Sequence, residues 1–140
     1  INMQNIVPAS DVTIASLQEL LNSSYVTNEV DAEGRILATT DSGLKVFLTL
    51  NEANKLVKFS LGFRIKEDAS EEQKLELANR INDKIILVRY AIPTPEVLVA
   101  DYFLPYAQGI IPTQIINSLK LLDKVCLAGI REHDTDSIVA

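Results

Sequence analysis

The chain holds one cysteine, Cys126, one histidine, His133, and no tryptophan among its 140 residues. A single cysteine excludes an internal disulfide, which fits a reducing compartment. With one histidine and one cysteine, a zinc site within the chain would need mostly carboxylates, against the usual thiolate and imidazole ligation. No apolar run approaches the ~20 residues of a membrane span. No basic stretch followed by an apolar block opens the chain, so no signal peptide is expected. Basic residues are outnumbered, 13 against 19 acidic ones, for a net charge of −6. That balance argues against nucleic acid or an anionic membrane as a partner. Neither G-x-x-x-x-G-K-[ST] nor G-x-G-x-x-G occurs, so no phosphate cradle is signalled. No repeat, low-complexity segment or linker divides the sequence. What remains is an ordinary globular composition in a chain long enough to bury one core. A single domain over 1–140 is expected, with irregular tails at about 1–9 and 131–140.

The most informative stretch runs from Ser70 to Leu104. Ser70 and Gln73 form a capping-box pattern, and Glu71 and Glu72 suit the positive end of a helix dipole. Leu75, Ala78 and Ile81, with Leu77 alongside, predict the buried face of that helix. Asn82-Asp83 reads as its end, because asparagine tolerates the left-handed cap. Ile85 to Tyr90 then reads as a strand covered on both faces. Ile92-Pro93-Thr94-Pro95 is expected to break it, since proline donates nothing to a ladder. Val97 to Leu104 resumes as an antiparallel partner strand.

Upstream, Ser10 or Asp11 is expected to cap a first helix with Ile14, Leu17, Leu20 and Leu21 as its stripe. The period then becomes two. Strands are predicted over Tyr25–Val30, Arg35–Thr40 and Leu44–Leu50, with turns at Gly34 and Gly43. The clearest strand carries Val57, Phe59, Leu61, Phe63 and Ile65 on one side and Lys58, Ser60, Gly62, Arg64 and Lys66 on the other. Gly62 marks a bulge or a close backbone approach. After a loop at Gly109, Pro112 opens a final helix with Ile115, Leu119, Leu122 and Cys126 as its stripe and Gly129 as its stop. The fold class is therefore α+β: an antiparallel sheet packed with helices in the order α-β-β-β-β-α-β-β-α.

No catalytic constellation emerges, and no catalytic, cofactor-binding or metal-binding residue is assigned. Cys126 and His133 share a helix face but stand about 10 Å apart along the axis, too far for a thiolate–imidazole pair. Cys126 reads as a small core residue and His133 as a solvated one. Asp31, Glu33 and Gly34 resemble part of a calcium loop, but the other ligand positions are missing, and they read as a hairpin turn. Asn79 and Asn82 read as amides tying the helix end to neighbouring backbone, with a polar recognition spot as the sharper alternative. Arg89 and Asp101 read as a structural cross-strand pair. Lys58, Arg64 and Lys66, with Lys45 beside them, form a wet face that could dock an acidic partner segment. Leu121 lies off the main stripe of an already apolar helix, which predicts a second cover, either from the first strand or the N-terminal segment of the same chain or from a second copy in a symmetric homodimer.

The opening amphipathic helix, the Gly34 and Gly43 turns, the N-R-I-N run at Asn79–Asn82, the hairpin, Gly109 and the closing helix together resemble the YbjN family. That family is described as bacterial sensory transduction regulators with a fold like the type III secretion chaperones. The resemblance covers roughly Asp11 to Leu127. It implies a bacterial, cytoplasmic, non-enzymatic module that binds a protein partner, and it strengthens the homodimer expectation. It brings no catalytic residues. Two alternatives stand beside it: a true secretion-type chaperone with a client protein, and a small-ligand sensor, which would need a concave polar pocket.

Overall fold

The computed structural model describes residues 5–140. Residues 1–4 of the expected lead-in lie outside them. Three helices and six strands follow in the predicted order. They are α1 (Ile14–Ser23), β1 (Asn28–Val30), β2 (Ile36–Thr39), β3 (Lys45–Asn51), β4 (Leu56–Arg64), α2 (Glu71–Lys84), β5 (Arg89–Thr94), β6 (Val97–Pro105) and α3 (Pro112–His133). The strands form one sheet in the order β1-β2-β3-β4-β6-β5, antiparallel in each described register. The chain gathers into two compact units, one of residues up to Phe59 with Phe103–Asp123, the other of Ser60–Tyr102 with Lys124–Ala140.

In the first unit, α1 is capped by Thr13, whose side chain accepts from the Ser16 amide while Ser16 accepts from the Thr13 amide. The cap therefore sits two residues beyond Asp11, which belongs to a preceding 3-10 turn. Leu17, Leu20 and Leu21 bury one face of α1, and Ile36, Ala38, Val46, Leu48, Val57 and Phe59 point inward from the strands. Such alternation is what a half-buried sheet requires. Val7 bridges Ile110, so part of the expected N-terminal tail is paired. The first strand is shorter than predicted. Tyr25 takes a left-handed conformation (φ 60°) that ends α1 instead of starting a strand.

In the second unit, α2 carries the predicted capping box: Gln73 N–H donates to Ser70 Oγ and Ser70 N–H to Gln73 Oε1. Its buried face is Leu77 and Ile81, not the Leu75–Ala78–Ile81 line; Leu75 is 65% exposed. The helix runs past Asn82 to Lys84. The expected covered strand at Ile85–Tyr90 is also corrected. Pairing starts only at Arg89, and Ile86 and Leu87 stand 80% and 68% exposed. Pro93 does not end β5, because β5 is the last strand of the sheet and a proline at an edge removes no ladder bond; the register shifts between Ala91 and Thr94. Gly62 is a close approach: a Cβ there would lie 3.3 Å from Val97 Cγ2. Gly129 is no helix stop. It lies inside α3, where a Cβ would press to 3.3 Å against Ile85.

The predicted C-terminal tail is ordered. Arg131–His133 complete α3, and Asp134 Oδ1 and Oδ2 accept from the Ile138 and Val139 amides. Ile138 is buried, and Val139 bridges Ile65.

Candidate functional site

The sequence-predicted polar residues sort into structural and exposed ones. Asn82 holds the sheet edge. Its Nδ2 donates to Tyr90 O at 2.8 Å, and its Oδ1 accepts from Tyr90 N–H at 2.9 Å. Antiparallel pairing turns alternate residues outward, so one side chain satisfies both outward backbone groups of Tyr90. Asn79 is exposed on α2. Arg89 and Asp101 are register partners, and Arg89 Nη2 meets Asp101 Oδ2 at 3.1 Å. The Asp101 side chain is only 6% exposed, while that of Arg89 is 64% exposed. Tyr90 is buried, its hydroxyl faces Cys126 O at 3.5 Å, and burial next to the Cys126 thiol pushes the phenol well above its ordinary range. Tyr90 is therefore a donor at any physiological pH. His133 is half-buried at the end of α3, and its carbonyl accepts from Arg80 Nε.

Of the expected wet face, Arg64 and Lys66 are exposed. Their backbone is occupied by the C-terminal segment: Ala140 N–H donates to Arg64 O, and Lys66 N–H to Ile138 O. Lys58 is half-buried, with its ammonium 5.9 Å from the Phe103 ring centre. Lys45 donates to Thr39 Oγ1 at 2.8 Å. Leu121 is half-buried. Asp31 closes its turn by accepting from the amides of Glu33 and Arg35 and from Arg35 Nε, and the Arg35 amide above all holds its carboxyl below the ordinary range. Among the described residues no group of three or more His, Cys, Asp or Glu gathers as a metal site. None of the helices among them is long and apolar enough to cross a membrane.

Two concave regions stand out, and sequence reading singled out neither. The first, in the first unit, is a cleft of about 360 Å³ lined by Tyr25, Val26, Thr27 and Thr39–Asp41 on one side and by α3 residues on the other. Its wall is built by Asp123 of α3. That carboxylate accepts from Thr40 Oγ1 at 2.5 Å, from the Ser42 hydroxyl and from the Ser42 amide at 3.2 Å. Burial alone would push the Asp123 carboxyl up, but these three donors outweigh it and hold it below the ordinary range. Asp123 thus latches the β2–β3 turn to α3 through three of its roughly four acceptor sites. Tyr25 stands at the rim, 96% exposed. Its position follows from the end of α1: Tyr25 N–H donates to Asn22 O, Val26 N–H to Leu21 O, and Asn28 Nδ2 bridges Asn22 Oδ1 and Val26 O.

The second, in the second unit, is a groove of about 350 Å³ between α2 and the β5–β6 hairpin. Leu75, Ala78, Ile92, Pro93 and Pro95 supply its apolar lining, and Glu71 and Lys74 stand among the lining residues. Leu75 is exposed here because the buried face of α2 is turned toward Leu77 and Ile81.

Comparison with known proteins gives consistent results. None of the curated proteins matches the chain. The crystal structure of YbjN from E. coli, described as "a putative transcription regulator", superimposes with a TM-score of 0.75 at 14% identity. The match covers 97% of this chain and 99% of that one, and at this identity it speaks for the fold alone. A family model, "YbjN: Putative bacterial sensory transduction regulator", matches residues 13–132. A match running from the capping threonine of α1 into the last turn of α3 means that this chain belongs to the YbjN family.

Proposed function

We propose that the protein is a non-enzymatic regulatory module that works in the cytoplasm by binding another protein. The observation that carries this reading is Leu75, a large aliphatic side chain 65% exposed over an apolar groove of about 350 Å³. Leaving such a surface in water forgoes roughly 25 cal/mol per Å² of apolar area, which a docked partner recovers. The family description, a regulator of sensory transduction, supports the same reading. So does the shape of the site: the groove is closed on one side by the hairpin, where Pro93 and Pro95 stiffen the wall. The net charge of −6 favours a protein over a nucleic acid as the partner.

A secretion-type chaperone with one unstable client is the narrower form of this proposal. Self-association belongs to it as well. Ile116, Leu121, Val125 and Leu127 of α3 are each only half-buried, which leaves apolar area for a second copy. The test is capture of the partner from the native organism, with the wild type and with Leu75→Glu side by side. The proposal requires one defined protein in the first and its loss in the second. The same protein recovered with both would refute the assignment to this groove.

A further inference from the structure

We propose that the cleft beside Tyr25 binds a zwitterionic ligand of about dipeptide size with apolar side chains. Four observations carry this. The first is size: a cleft of about 360 Å³ lies within the range of small-molecule sites. Two residues of extended chain reach roughly 7 Å, the edge of a cube of that volume.

The second is charge. Asp41, Lys120 and Asp123 are the charged residues of the lining. Asp123 is occupied by Thr40 and Ser42. That leaves one exposed carboxylate, Asp41, and one exposed ammonium, Lys120, and neither enters an ion pair among the described residues. Beside the ionised Asp123, one exposed charge of each sign complements a ligand with a free amine and a free carboxylate, and the Asp123 charge adds to the pull on the amine. The third is the floor: Val26, Ile116 and Leu119 present aliphatic surface between hydroxyl groups, suited to an apolar side chain with a polar backbone.

The fourth is Tyr25. Its backbone is left-handed, a conformation that glycine or asparagine fills more easily. The hydrogen bonds that end α1 hold that conformation, and they leave the side chain 96% exposed on the rim of the cleft, placed to cover a ligand. Asp41 is placed to meet the ligand amine and Lys120 its carboxylate, while the ring of Tyr25 covers an apolar side chain.

Calorimetric titration of the free protein with L-leucyl-L-phenylalanine and with its N-acetyl, C-amide analogue tests this. The zwitterion should bind at about millimolar affinity or better, with the capped analogue at least roughly tenfold weaker. Lys120→Ala and Asp41→Asn should each weaken the zwitterion severalfold. Tyr25→Gly should weaken it without lowering Tm. Absence of binding, equal binding of both probes, or indifference to all three substitutions would overturn the proposal. Leu75→Glu should leave dipeptide binding intact, so failure of this cleft and failure of the protein-binding groove are read separately.

Discussion

Removing the Asn82 amide tests whether the N-R-I-N run is there to guard the sheet edge. Asn82→Ala breaks two hydrogen bonds, at 2.8 and 2.9 Å, to the outward N–H and C=O of Tyr90. Each is worth about 1 kcal/mol net, and both sites are part-buried at a rim where water can partly replace the lost partner. Alanine returns about 0.6 kcal/mol of helix propensity at most, less near the end of α2. The balance is a loss of about 1.5 kcal/mol, or roughly 3–6 °C in Tm for a chain of this size. Asn82→Asp should be worse than alanine. It keeps the acceptor for Tyr90 N–H but turns a carboxylate oxygen toward Tyr90 O, and it puts negative charge in the last turn of α2. Urea denaturation gives the free energies, and amide exchange should show the Tyr90 N–H opening faster in both variants. A loss under ~0.5 kcal/mol for alanine, or aspartate no worse than alanine, would mean that Asn82 does not guard the edge.

Three further outcomes are expected. Phe59→Ala empties a fully buried position and should cost roughly 3–5 kcal/mol in the same denaturation assay. Asp123→Asn should destabilise at pH 7. Its carboxyl is depressed in the folded state, so the stabilisation is full above the ordinary value of ~3.9 and is lost as pH falls through the lower folded value. The gap between wild type and Asp123→Asn should therefore close on acidification, and a gap that stays constant below pH 4 would contradict the latch. Sedimentation at micromolar concentration should show a dimer that Leu121→Glu dissociates into folded monomers; a clean wild-type monomer would remove the α3 interface.

The element order was legible because each period is local. Alternating Val57, Phe59, Leu61 and Phe63 define β4, and the Ser70–Gln73 box marks the start of α2. The errors arose where tertiary context outranked the local pattern. Tyr25-Val26 has strand composition, yet the carbonyls at the end of α1 claim both amides. Ile85–Val88 looks like a covered strand, but the sheet edge falls at Arg89 and leaves Ile86 and Leu87 in solvent. Pro93 reads as a breaker only if the strand is central, and sequence does not say which strand lies at the edge. Both candidate sites were out of reach for a similar reason. Asp123 meets Thr40 and Ser42 across 83 and 81 residues, so nothing local announces it. Leu75 sits at helical spacing with Ala78 and Ile81, and only the packed rotation of α2 shows that it faces outward. The one available sign was a helix with more apolar residues than a single buried stripe uses.

Docking of a partner protein in the groove lined by Leu75 can be caught in place by a photo-crosslinking residue installed at position 75 in the full chain, in living cells of the native organism. An equivalent residue at exposed Glu52, in the β3–β4 turn and outside the groove lining, serves as control. One discrete crosslinked protein is expected from position 75 and little from position 52. No discrete adduct at position 75, or the same adducts from both positions, would contradict it.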